Sequence, residues 1–328
     1  MEKEVRVLIT RDFPEVGIEM LKKTGFHVTE WPHDRPMTPE ELIENCQEHQ
    51  ALFCASSDKL DEDFLRSSSH LEIISQFSAG YDNIDVEVAN ELKIPIGNAP
   101  GAMKNAAADV AFGLMINASR KMFYMHRKLI NGDWSYFRPQ ANLGQELNGK
   151  TLGVFGLGQI GFEMARKCKG AYDMEIIYCN TSSNKKAEDE LDAKKVDFKE
   201  LLESSDVLTV HCSLNPNTQG LFNSAAFKKM KPASIFVNTS RGPVHNEEDL
   251  IEALQNGEIW GAGLDVTNPE PMSKDNPLLQ METVAVLPHI GSSTVEARNR
   301  MSEYAAQNII DFYTKGTIPH LVNPEAMK

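Results

Sequence analysis

The chain of 328 residues lacks any apolar run long enough to cross a bilayer, and its opening "MEKEVRVLIT" contains no signal-type apolar region. No membrane partner is expected, and the cytoplasm is the default compartment. Cysteine is scarce: Cys46, Cys54, Cys168, Cys179 and Cys212 are widely spaced and form no C-x-x-C pair. That excludes a disulfide framework and a zinc site, so no metal is expected and a reducing compartment fits. Excess positive charge is missing as well. The formal net charge of −14 favours solubility and argues against nucleic acid or anionic lipid as the main partner. Short-period repeats and low-complexity segments are also absent.

What is present is globular: 41% hydrophobic and 24% charged residues, at a length that calls for two domains. In the first hundred residues "VRVLIT", "HVTEW", "ALFCA" and "LEIISQFS" read as strands, separated by helical patterns such as "PEVGIEMLKKTG". "NAAADVAFGLMINASRKMFYMHRKLINGDW" reads as one or two long helices. Six more strands follow, "TLGVFG", "EIIYCN", "VLTVHC", "SIFVNTS", "WGAGLDV" and "VAVLPH". Strand–helix alternation implies parallel sheets covered on both faces, and six strands is the count of a dinucleotide-binding sheet. The last segment, "STVEARNRMSEYAAQNIIDFYTKG", reads as a single amphipathic helix with Met301, Tyr304, Ala305 and Ile309 near one face. It is expected to return to the first lobe and make that domain discontinuous.

"GVFGLGQIGFEMARKCKG" places Gly156, Gly158 and Gly161 in G-x-G-x-x-G spacing after a strand and at the start of a helix. The first glycine permits the tight turn, the second lets backbone approach a pyrophosphate, and the third lets helix and strand pack closely. The helix N-terminus offers unpaired N–H groups to the phosphates. An acid that would hold the adenosine ribose belongs near Cys179–Ser182 in "IIYCNTSSNKK", yet none occurs before Glu188. A carboxylate there would repel a 2′-phosphate by about 4 kcal/mol at 4 Å and an effective dielectric near 20. Asn180, Thr181, Ser182 and Ser183 can donate hydrogen bonds, and Lys185 or Lys186 can add charge. NADP(H) is therefore favoured. The loop has no arginine, which leaves NAD(H) as a second cofactor.

Four polar residues then stand at or beyond the ends of consecutive strands: Arg241 in "VNTSRGPV", Asp265 and Glu270 in "GLDVTNPEP", and His289 in "LPHIGSST". A histidine at a strand end is usually a satisfied structural residue, and an arginine after a strand is usually a solvated charge. Four such residues at the carboxyl edge of one sheet, where open α/β folds bind ligands, are much harder to dismiss.

With "FSAGYDNID" in the first lobe, these motifs make the whole chain resemble the D-isomer-specific 2-hydroxyacid dehydrogenases. "CSLNPNTQGLFNSAAFKKMK" and "DVTNPEPMSKDNPLLQMETVAVLPHIGSST" most resemble the glyoxylate/hydroxypyruvate reductase branch. The resemblance implies two Rossmann-like or flavodoxin-like parallel-sheet domains with the active site in the cleft between them. Residues 1–104 and 291–328 would bind substrate, and 105–290 the dinucleotide. It implies NADPH-dependent reduction of a small 2-oxo acid to its 2-hydroxy acid. Arg241 would bind the carboxylate and polarise the carbonyl. His289 would donate the proton, oriented and favoured in its charged form by Glu270. Backbone N–H groups of Ala79 and Gly80 would receive the substrate carboxylate. The cofactor set would comprise Gly156, Gly158, Gln159, Ile160, Gly161, Asn180, Thr181, Ser182, His211, Thr239, Asp265 and Gly291, with Asp265 holding the nicotinamide end or supporting Arg241.

A homodimer is implied, together with "VAFGLMINASRKMFYM" as its long apolar helix, and Phe137 in "DWSYFRPQ", with Trp134 upstream, would reach the partner's active site or sit at the dimer seam. The main alternative is a dinucleotide-sensing regulator similar to the C-terminal binding protein corepressors, which also keep an Arg–Glu–His set. The missing ribose acid and the lack of disordered flanking tails argue against it. A phosphoglycerate dehydrogenase would need room for a regulatory domain, and a formate dehydrogenase would need no proton donor.

Overall fold

The computed structural model describes residues 4–328, which divide into two compact units. One comprises the described residues up to Met103 together with Ser293–Lys328; the other is Lys104–Ser292. Both are α/β units built on a parallel sheet.

The first unit holds β1 (Arg6–Ile9), β2 (His27–Glu30), β3 (Ala51–Cys54), β4 (Ile73–Gln76) and β5 (Ile96–Gly97) in the order β2-β1-β3-β4-β5. All its strand pairs are parallel. β3 and β4 are buried along their whole length, as strands with both faces covered must be; β3 is correspondingly an apolar run, whereas β4 ends in the buried polar pair Ser75 and Gln76. The helix Val295–Lys315 belongs to this unit and buries Met301, Ala305 and Ile309. Ser75 Oγ donates to Ala305 O at 2.8 Å, and Asn308 Nδ2 donates to Asn98 O at 2.9 Å, so the helix is stitched to β4 and to the chain after β5.

The second unit holds β6 (Thr151–Phe155), β7 (Glu175–Cys179), β8 (Lys194–Lys195), β9 (Val207–Val210), β10 (Ile235–Asn238), β11 (Gly261–Leu264) and β12 (Val284–Val286). Their order is β12-β11-β10-β9-β6-β7-β8. The sequence of strands reverses at β6, which pairs with β7 on one side and β9 on the other. Such a switch point opens a crevice at the carboxyl ends of the strands. On the opposite half, Asn238 stands beside Leu264 and Leu264 beside Val286, so the chain leaves β10, β11 and β12 along one common edge. β11 is made of small residues for a packing reason: a Cβ on Gly263 would come within 2.7 Å of Leu114 Cβ on the helix Lys104–Arg120.

Two strands lie outside the sequence reading. β5 and β8 are two residues long and show no periodicity by which to recognise them. The long helical stretch resolves into two helices, Lys104–Arg120 and Met122–Ile130, separated by Lys121 at φ 56°.

Candidate active site

The turn that presents Arg241 is built on Asn238, the last residue of β10, which is fully buried. Its Nδ2 donates to Arg241 O at 2.9 Å and to His245 Nδ1 at 3.0 Å; its Oδ1 accepts from Ser240 N at 2.9 Å and Ser240 Oγ at 2.8 Å. The amide is thus satisfied at four points. Burial pushes His245 down to about 4, which keeps the ring neutral and able to accept at Nδ1. Arg241 Nη1 donates to Ser240 O at 2.9 Å. At Gly242 a Cβ would overlap Thr267 O, so only glycine lets the Arg241 turn lie against the loop that follows β11.

That loop carries Glu270, and the turn after β12 carries His289. Glu270 Oε1 and His289 Nδ1 are 2.5 Å apart, with both side chains about two-fifths exposed. Burial pushes the Glu270 carboxyl up, but the hydrogen bond and charge of His289, with smaller help from Arg241, hold it below its ordinary value. Arg241, Glu270 and His289 therefore share one electrostatic neighbourhood.

His289 sits at φ 53°, a left-handed conformation that costs a non-glycine residue on the order of 1–2 kcal/mol. Asp265 holds it there. His289 N donates to Asp265 O at 2.9 Å, Ile290 N to Asp265 Oδ1 at 2.8 Å, and Gly291 N to Asp265 Oδ2 at 2.8 Å. Three successive N–H groups thus converge on one residue that is 1% exposed. Burial raises the Asp265 carboxyl, opposed by those two backbone donors and by the charge of His289. Gly291 is required by proximity, since a Cβ there would lie 2.9 Å from Asp265 Oδ2. A cavity of about 420 Å³ adjoins the pair, lined by Asp265, Glu270 and His289 and by apolar Met272, Leu279 and Val286.

The dinucleotide end is assembled around β6. Gly156 (φ 91°) donates its N–H to Cys179 O at 3.1 Å, and a Cβ on it would meet Cys212 N at 2.6 Å. A Cβ on Gly161 would meet Gly156 O at 2.7 Å. A Cβ on Gly158, by contrast, has nothing within 4 Å, and Gly158 starts the helix Gln159–Tyr172 without any side-chain cap. Open space over an uncapped helix N-terminus at Gln159 and Ile160 is a cradle suited to a pyrophosphate. His211 lies between Thr209 Oγ1 (2.9 Å from Nε2) and Thr239 Oγ1 (3.2 Å from Nδ1), and burial pushes it down to about 3, so it is neutral.

Asn180 turns back to the glycine-rich loop, accepting from Leu157 N at 2.6 Å and donating to Leu157 O at 3.2 Å. Thr181 and Ser182 are exposed beyond it. Lys185 pairs with Asp189 at 2.9 Å, and Lys186 lies over the Phe162 ring. A further cation, Lys195 on β8, escaped the sequence reading; its Nζ donates to Thr181 O at 3.2 Å. Asn238 and Glu247 escaped it too, the one a polar residue ending an apolar strand and the other an acid opening a helix. Phe137 and Trp134 are among the most exposed apolar residues described, at 83% and 75%.

In the first unit, Gln76 Nε2 and Ser78 Oγ both donate to Gly80 O, at 2.5 and 2.6 Å, and Asn98 Nδ2 donates to Ala79 O at 2.7 Å. The two carbonyls of the Ala79–Gly80 loop are thereby tied down by side chains.

This fold and these motifs have close counterparts. A family model described as "D-isomer specific 2-hydroxyacid dehydrogenase, NAD binding domain" matches residues 112–291. The chain is 39% identical over 327 residues to a glyoxylate reductase of Thermococcus litoralis, covering 98% of each. A crystal structure of a glyoxylate reductase from Paecilomyes thermophila superposes with TM-score 0.88 at 33% identity, over 98% of this chain and 99% of that one. An NADPH-dependent glyoxylate/hydroxypyruvate reductase from Sinorhizobium meliloti, solved with NADP and malonate, gives TM-score 0.84 at 27% identity over 99% and 98% of the two chains. The chain belongs to the D-isomer specific 2-hydroxyacid dehydrogenase family. It is a nicotinamide-dinucleotide-dependent oxidoreductase.

The open cradle gives a direct test. Gly158 has an extended backbone and free space around its Cβ position, so Gly158→Val should keep Tm within about 2 °C. Dinucleotide binding, followed by fluorescence titration, should weaken by at least about tenfold.

Proposed function

We propose that the protein reduces short 2-oxo acids with NADPH, glyoxylate to glycolate and hydroxypyruvate to D-glycerate, with His289 as proton donor. The observation that carries this reading is the 2.5 Å Glu270–His289 pair, set in the electrostatic reach of Arg241. Lys104–Ser292 would be the dinucleotide-binding domain and the other unit the substrate-binding one. The nicotinamide, when bound, supplies the hydride. Arg241 binds the substrate carboxylate and polarises the C2 carbonyl, stabilising charge that grows on its oxygen. His289 delivers a proton to that oxygen from Nε2, because Nδ1 is taken by Glu270. The N–H groups of Ala79 and Gly80 contribute to carboxylate binding, and local donors of this kind outweigh the distant field of an acidic chain. Asp265 and Gly291 keep the His289 turn in place beside the nicotinamide end, and His211 and Thr239 flank it as a neutral pair.

Preference for NADPH is supported by the ends of β7 and β8. No carboxylate stands among residues 179–183, the acid that follows, Glu188, accepts from Tyr178 OH at 2.6 Å, and Lys195 lies by Thr181. Ser182, Thr181 and Lys195 would meet the 2′-phosphate, and NAD(H) would be the weaker cofactor. A second copy of this chain would dock on the segment 122–143, which carries eight of the eleven exposed large hydrophobic residues described, Phe137 among them. Cytoplasmic residence is supported by five free cysteines; no helix among the described residues is long and apolar enough to cross a membrane.

His289→Ala should lower turnover of glyoxylate and hydroxypyruvate by about 10²–10⁴-fold while the Kd for NADPH changes little. Retained turnover in a 340 nm assay would remove the residue from the mechanism. Glu270→Gln replaces the ionised partner by a neutral amide that no longer favours the charged ring. The alkaline loss of reductive activity should then begin at lower pH than in the wild type, and an unshifted profile would contradict the pairing. Lys195→Gln should raise the Kd for NADPH by about tenfold and leave that for NADH unchanged. An equal effect on both dinucleotides would place the 2′-phosphate elsewhere.

A further inference from the structure

Glu247 opens the helix Glu247–Gln255, six residues after Arg241, and nothing in the reaction scheme uses it. An acid in the first turn of a helix ordinarily faces solvent and favours the helix dipole from there. Glu247 is instead 8% exposed, with both oxygens turned into the protein. Oε2 accepts from Asn268 N at 2.9 Å, and Oε1 accepts from Asn276 Nδ2 at 2.6 Å. Those two partners stand on either side of Glu270, near the entry and the exit of the loop that carries it.

Between them the loop is poor in contacts of its own. Asn268, Pro269, Glu270, Pro271, Ser273, Lys274 and Asp275 are exposed, and only Met272 reaches partly into the apolar core. Its other hydrogen bonds are internal, Thr267 Oγ1 to Pro269 O at 2.8 Å and Asn276 N to Ser273 O at 3.1 Å. An exposed loop with few buried contacts belongs to the low-stability end of a fold, yet Glu270 has to hold a bond of 2.5 Å to His289. Charge-assisted bonds to one buried carboxylate give directional restraint that an apolar contact at Met272 cannot.

We propose that Glu247 is a positioning residue for the proton-donating pair: by clamping both flanks of the 268–276 loop it fixes Glu270 against His289. It also ties that loop to the element that presents Arg241, since Arg241 and Glu247 belong to the same short crossover, where Gly242 lies against Thr267. This rests on the catalytic reading of Glu270 and His289 given above.

The test is a double-mutant cycle on the full-length enzyme assayed with NADPH and glyoxylate across pH. Glu247→Gln puts an NH2 where a backbone or amide donor now points. It should lower kcat by about tenfold with KM little changed, and shift the alkaline limb to lower pH in the same sense as Glu270→Gln. In the Glu270→Gln background it should add almost nothing. A variant that only loses Tm, with wild-type kcat and pH profile, overturns the proposal, as does a fully additive loss in the double variant. Should Glu247→Gln fail to fold, Asn276→Ala removes one of the two bonds from the partly exposed side; a smaller shift in the same direction is expected, and an unchanged profile overturns the clamp. If Glu270→Gln alone leaves the profile unchanged, the failure lies with the His289–Glu270 reading rather than with the clamp.

Discussion

Everything at the candidate active site depends on the way three parallel strands stop. β10, β11 and β12 run side by side and release the chain at one edge, where backbone N–H and C=O groups lose their ladder partners. Buried side chains replace those partners. Asn238 takes the turn after β10, Asp265 the turn after β12, and Glu247 the loop after β11. Each of these side chains binds backbone, and each holds a turn or loop that carries Arg241, His289 or Glu270. The sheet thereby converts a topological requirement into the fixed placing of a guanidinium, a carboxylate and an imidazole.

The electrostatics follow the same division. Groups that serve the framework are kept out of the charged state or fully bonded: His211 and His245 are pushed down by burial and stay neutral, and Asp265 is raised by it while its oxygens receive N–H donors. The Glu270–His289 pair, by contrast, is left partly open to solvent, and there the carboxyl is held below its ordinary value by the hydrogen bond and charge of the ring against the opposing effect of burial. The left-handed backbone at His289 is tolerated because three bonds to Asp265 over-determine it. A conformational penalty of about 1–2 kcal/mol is small against such a set of buried hydrogen bonds.

Much of the architecture was legible in the sequence because parallel strands are apolar along their length and helices repeat at 3.6 residues. "ALFC", "VLTV" and "IFVN" could hardly be anything else, and Arg241, Asp265 and His289 each follow such a run within three residues. β5 and β8 were not legible, since two residues carry no period. Neither were the contacts that cross the sequence. The amide of Asn180, a residue expected to donate to a ligand, also clasps Leu157 of the glycine-rich loop, a contact that no local pattern announces. Glu247 resembled any acid favouring a helix start, and only the fold brings Asn268 and Asn276 to it. Lys195 belongs to a run of charged residues, "DAKKVDF", that reads as solvated surface until strand pairing sets it beside Tyr178 and within reach of Thr181.

The position of β8 has one more consequence. It is the outermost strand on its side, and a free sheet margin is a template on which another polypeptide can add a strand. Two adjacent lysines there, brief and hydrated, discourage such addition. Lys195 thus bears on colloidal behaviour as well as on the local loop: an exchange that discards its charge gives up the ammonium bonded to Thr181 O and, at the same stroke, weakens the guard against self-association along that margin.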